Sequence, residues 1–217
     1  MLSIDERVEL VAAEAYRLLP PNKDQAWVTR VCIDDLGAKH GTYDPDSGAI
    51  TLSERIFWGR NEAELQYIDV HGEYPAKEEP YCSRALHVCL HEWLHAIGYA
   101  TGDDRSQEWL ALSGWKETWE DRQVTGRYFE RRPGWGDQGG SEWRYTKGTW
   151  FPREYSSKSP HECYADCGTH IALGWHRHIT DANGRAKMGY LLRTCWGEDQ
   201  TTRLQASVGY WRNRLVV

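Results

Sequence analysis

Leu86, Leu90, Leu94 and Ile97 recur at helical spacing between Tyr81 and Tyr99, and the same stretch contains His91-Glu92-Trp93-Leu94-His95. The apolar spacing predicts a helix that buries one face, with Gly98 and Gly102 marking its end. Residues four apart on a helix point the same way, so His91 and His95 can offer imidazole nitrogens to one metal ion. Zinc takes such ligands at about 2.0–2.1 Å and prefers four in a tetrahedron. A metal site here therefore needs a third ligand from elsewhere in the chain. Glu92, beside the first histidine, can act as general base on a zinc-activated water. His87 extends the row, but three ligands along one straight helix span about 12 Å, too far for one ion. His87 is expected to support a ligand or to pack.

The third ligand separates the possible classes. Gly98 stands where the metzincin pattern has its glycine, but Thr101 stands where that pattern needs a ligand, and Met188-Gly189-Tyr190 is only faintly similar to a Met-turn. Asp103 or Asp104 can ligate only through an altered turn. His161, His170, His176 and His178 would suit a protease that uses a later histidine. The segment "HECYAD" instead offers Glu162, with Asp166 one turn further on the same face. A carboxylate from a second helix completes a two-histidine, one-glutamate site that keeps one position open. Asp166 can then hydrogen-bond His91 or His95 and fix its tautomer.

These residues resemble a gluzincin zinc metallopeptidase, most similar to the catalytic domain of anthrax lethal factor and its relatives. "HEWLH" matches, "ECYAD" resembles the family's Glu-x-x-Ala-Glu helix with Asp166 in place of the second glutamate, and Tyr155 lies seven residues before Glu162. The resemblance covers roughly residues 26–175. It implies one zinc ion held by His91, His95 and Glu162, with Glu92 activating the water. Tyr155 would donate to the oxyanion, and Asp166 would support a ligand. It also implies an α+β, zincin-like fold: a small mixed sheet with the active-site helix above a mostly helical lower half. Strand 49–53 would form the sheet edge on which an extended peptide lies.

Other segments set the frame. Residues 1–21 predict an amphipathic helix stopped at Pro20-Pro21. Residues 26–37 predict a strand, and 40–57 a hairpin turning at Asp44–Gly48. A helix fragment and loop are expected over 59–80, and an interrupted helix over 103–122. Residues 126–160 read as irregular, with Trp135, Trp143 and Trp150 as candidates for substrate contact. A helix is expected from about residue 160, then a turn at Asp181–Gly184. The whole reads as a single domain over 1–217, with a sheet-bearing upper half of about 22–100 and a lower half of about 101–217.

The net charge of −6 and the lack of a basic stripe argue against nucleic acid as a partner. No stretch approaches the ~20 apolar residues of a membrane helix. The N-terminus lacks signal-peptide features, so a cytoplasmic setting with six free thiols is expected. Cys163 and Cys167 are four apart, but no second cysteine pair has ligand spacing. The expected activity is zinc-dependent endopeptidase action on peptide or protein. The alternatives are a zinc amidase or other hydrolase, and a non-catalytic zincin-fold binding protein.

Overall fold

The computed structural model describes residues 3–21, 27–57, 84–118 and 142–197. Helix α1 spans Ile4–Leu18. The Ser3 hydroxyl accepts from the Glu6 N–H, and the Glu6 carboxylate accepts from the Ser3 N–H at 2.7 Å. This reciprocal cap satisfies two donors that a helix start leaves unpaired. The helix stops before Pro20, as expected.

Three strands follow: β1 (Arg30–Asp34), β2 (Gly41–Asp44) and β3 (Ala49–Ser53). β2 and β3 form the expected antiparallel hairpin. Its turn closes with the Gly48 N–H on the Asp44 carbonyl at 2.9 Å, and Gly48 takes φ +66°, a region that favours glycine. β1 pairs with β3 in parallel, so the order is β1-β3-β2 and the sheet is small and mixed. With the helices this gives the α+β class. β3 is the middle strand, paired on both sides, with Ile50 and Leu52 fully buried. The expectation that 49–53 forms the sheet edge is therefore wrong: its two alternating apolar residues fill the core, and β2 is an edge instead.

Helix α2 (Arg84–Thr101) packs on α1, β2 and β3, and also on the later helix α4 (Pro160–Ala172). Leu90, Leu94 and Ile97 are fully buried. Gly98 lies inside the helix rather than at its end; a Cβ there would come 3.0 Å from Asp104 Cβ. Gly102, at φ +73°, provides the stop, with its N–H on the Gly98 carbonyl.

Helix α3 (Gln107–Ser113) ends at Gly114, and Lys116–Thr118 forms strand β4, paired with β5 (Glu142–Arg144). The helix expected to resume after Gly114 is thus a strand, because the left-handed Gly114 redirects the chain and Trp115 drops into the core. Helix α4 (Pro160–Ala172) starts as expected, with Ser159 as cap and Pro160 in the first turn. It crosses α2 closely at Gly168, where a Cβ would lie 2.8 Å from a Leu94 methyl. Asp181–Gly184, expected as a turn, instead opens helix α5 (Ala182–Leu191), with the Asp181 carboxylate accepting from the Gly184 N–H at 2.8 Å. The same aspartate chemistry serves turns and helix caps. Met188 and Tyr190 lie within α5, so no Met-turn forms.

Trp150 is buried against Gly184, which makes it core rather than substrate contact. Trp143 packs edge-on to Trp115 and His161. Cys163 and Cys167 are buried with sulfurs 4.0 Å apart, beside the Lys187 ammonium. Among the described residues no helix is long and apolar enough to cross a membrane. The segment 59–80, Cys82, Trp135 and the tail beyond 197 lie outside the described residues.

Candidate metal centre

α2 and α4 bring three ligand atoms to one point. His91 Nε2 lies 3.0 Å from Glu162 Oε2, His95 Nε2 lies 3.2 Å from the same oxygen, and the two Nε2 atoms are 3.0 Å apart. The histidines share a face of α2 because they are one turn apart. Glu162 reaches them because α4 lies so close to α2 at Gly168. The three form a cluster able to hold a metal ion.

The donor set fits zinc. Ligands about 2.0–2.1 Å from a tetrahedral ion stand roughly 3.3 Å from one another, close to the observed separations. The hydrogen bonding points the same way. His91 Nδ1 lies 2.8 Å from Asp166 Oδ1. Asp166 is a carboxylate and can only accept, so Nδ1 carries a proton, and in the neutral ring the Nε2 lone pair faces Glu162 and His95. Lone pairs crowded at 3 Å are stabilised by a cation among them. Burial opposes charge on His91, yet Asp166 and Glu162 outweigh it and raise its pKa to about 10: the pocket favours positive charge. Burial would raise the Glu162 pKa, but hydrogen bonds from His91 and His95 hold it far below the usual carboxylate range.

Asp166 is fully buried and heavily partnered. Arg153 grips it with a two-pronged guanidinium bond, NH2 to Oδ1 at 2.5 Å and Nε to Oδ2 at 2.7 Å, and the Ser156 hydroxyl donates to Oδ2 at 2.5 Å. Burial would raise its pKa, but Arg153 and His91 hold it well below the usual range. The chain Arg153–Asp166–His91 fixes the ring that presents Nε2. Neither Arg153 nor Ser156 was found from sequence. The available signal was that a buried aspartate needs a cationic partner.

A short 3-10 turn, Glu154–Lys158, carries Tyr155 to the site. Its hydroxyl donates to Glu162 Oε1 at 3.0 Å. Burial, with Glu162 next, raises the phenol pKa, so Tyr155 stays protonated and remains a donor. The Lys158 ammonium lies 3.8 Å from the centre of its ring.

Glu92 is buried at the wall of the same cavity. β2 approaches it closely: a Cβ on Gly41 would lie 3.0 Å from Glu92 Oε1 and 2.5 Å from Val88 Cγ1. The cavity measures about 850 Å³ and is lined by β2, α2 and the 153–162 segment. His91, Glu92, His95, Tyr155 and Glu162 all open onto it.

The other candidate ligands are engaged elsewhere. His87 is buried and stacks on Trp175, and burial holds its pKa well below the ordinary value. His161 Nδ1 pairs with Asp104 at 2.7 Å, and His170 Nδ1 lies 3.0 Å from the Asp166 carbonyl. The Thr101 hydroxyl bonds back to the Ile97 carbonyl. Asp103, His176 and His178 are not part of the triad.

Comparisons of the chain with protein-family models, with curated proteins and with solved structures found no match.

Proposed function

We propose that this chain is a zinc-dependent endopeptidase of gluzincin type with a zincin-like fold. The observation that carries the reading is one cavity holding the His91, His95 and Glu162 ligand triangle, Glu92 on the adjacent helix position and the Tyr155 hydroxyl. His91, His95 and Glu162 would hold the zinc ion, whose chemistry when bound would be a water of pKa lowered toward ~7 and Lewis acidity toward a carbonyl. Glu92 takes the proton of the attacking water and passes it to the leaving amine. Tyr155 turns its O–H from Glu162 toward the carbonyl oxygen as negative charge develops there. Asp166, gripped by Arg153, holds the His91 tautomer throughout. The β2 edge borders the cavity, and its main-chain groups suit an extended peptide.

The test is incubation of the zinc-loaded protein with an unfolded protein substrate, with products read by mass spectrometry. Internal peptide-bond cleavage is expected, lost in Glu92→Gln and on chelation. Cleavage that persists in Glu92→Gln would overturn the mechanism. No proteolysis, but hydrolysis of small amides, would favour the amidase reading.

A further inference from the structure

The cavity differs in charge from the molecule that contains it. The chain carries a net −6, yet among the described residues Lys39, Arg84, Arg105, Arg153 and Lys158 line the cavity against Glu92, Asp104 and Glu162. Those carboxylates are committed. Glu92 and Glu162 serve the chemistry proposed above, and Asp104 pairs with His161 at 2.7 Å. Arg153 is committed to Asp166. Lys39 and Arg84 are exposed on the cavity rim, and among the described residues neither has a carboxylate within ion-pair distance. Arg84 lies 3.4 Å from His40 Nε2. Burial, then the charges of Arg84 and Arg153, hold the His40 pKa below its ordinary value, as a locally positive region would.

Two rulers locate this region relative to the reacting centre. Arg84 is seven residues before His91 on α2, about 10 Å along the helix axis. Lys39 is two residues before Gly41, which packs on Glu92, so it is displaced by up to about 7 Å along an extended chain. At about 3.3 Å per residue, both offsets correspond to two or three residues of a bound peptide.

We propose that the substrate is an acidic peptide segment, with an Asp or Glu side chain two or three residues from the scissile bond received by Arg84 and Lys39. This rests on the peptidase reading. A low-dielectric cleft focuses the local field, so the rim rather than the net charge of the chain decides which substrates are drawn in.

The experiment uses mixed labelled peptides in which one position at a time is fixed as Glu, Gln or Lys. Zinc-loaded wild type is assayed for cleavage, and zinc-loaded Glu92→Gln for binding by fluorescence anisotropy. The expected result is a Glu-over-Lys preference of roughly three- to tenfold at one position two or three residues from the cut, weakening with salt. Arg84→Glu or Lys39→Glu should abolish or invert the preference. Cleavage indifferent to charge, or favouring Lys, would overturn the inference and leave the peptidase reading standing. Charge-selective binding with no cleavage would sink the peptidase reading but keep the anionic ligand. Neither binding nor cleavage would remove both.

Discussion

Asp166→Asn probes the support of the metal site while leaving all three ligands in place. The amide has the volume of the carboxylate, so cavity and overpacking terms do not enter. Its oxygen is expected at the Oδ1 position, where it still accepts from His91 Nδ1 and from Arg153 NH2. The amide nitrogen then occupies the Oδ2 position. There it can donate to Ser156, but it opposes the Arg153 Nε–H that Oδ2 accepted at 2.7 Å. One charge-assisted bond is lost, worth about 1.5–3 kcal/mol, and Arg153 loses its counter-charge. Breaking a fully buried pair costs about 3–5 kcal/mol, but the Arg153 side chain is 33% exposed and water offsets part of this. A net destabilisation of about 2–3 kcal/mol follows, with zinc binding weakened about 10–100-fold. Urea titration gives the first quantity, and zinc competition against a chromophoric chelator gives the second. Unchanged zinc affinity in a folded Asp166→Asn protein would refute the argument that the Arg153–Asp166 pair orients His91.

Three further predictions use different parts of the structure. Tyr155→Phe should keep its zinc and lose about 10²–10³ in turnover; an equal loss of zinc would show that the tyrosine serves Glu162 rather than the substrate. Gly41→Ala should push β2 off α2 at Val88 and Glu92, costing about 1–3 kcal/mol and cutting activity with zinc content unchanged; full activity would contradict this close approach. Burial places the pKa of His170 and of His176 at about 4, below the unfolded value of about 6.5. Unfolded chains take up these protons as pH falls through 6.5 while folded chains do not, so the stability present at neutral pH is lost toward pH 4. The slope is up to about 1.4 kcal/mol per pH unit per histidine, and His176→Gln should remove one histidine's share of it in urea titrations.

The site was more legible in the sequence than the fold around it. His91, His95, Glu162 and Asp166 are legible because helical periodicity fixes which side chains share a face, and both helices carry clear signals: the apolar repeat on α2, and Ser159-Pro160 at the start of α4; Tyr155, in the 3-10 turn before α4, is pointed to only by the resemblance. Register and pairing are long-range properties, and local spacing does not contain them. The resemblance puts β3 at the sheet edge, and nothing in "AITLS" itself says that β1, nearly twenty residues earlier, pairs on its far side. Asp181–Gly184 reads as a turn in the sequence because an aspartate that bonds a backbone N–H three residues on is equally at home in a turn and at a helix start. Arg153 was invisible for a related reason: its partner is thirteen residues away in sequence, and no spacing rule joins an arginine in a loop to an aspartate on the next helix.

The proposed chemistry depends on His91, His95 and Glu162 holding one zinc ion. Elemental mass spectrometry on wild type and Glu162→Ala, purified identically, tests it most directly. One zinc per wild-type chain is expected, with strong loss in a mutant that circular dichroism shows to be folded. Full zinc retention in folded Glu162→Ala would contradict it, and would move the third ligand away from α4.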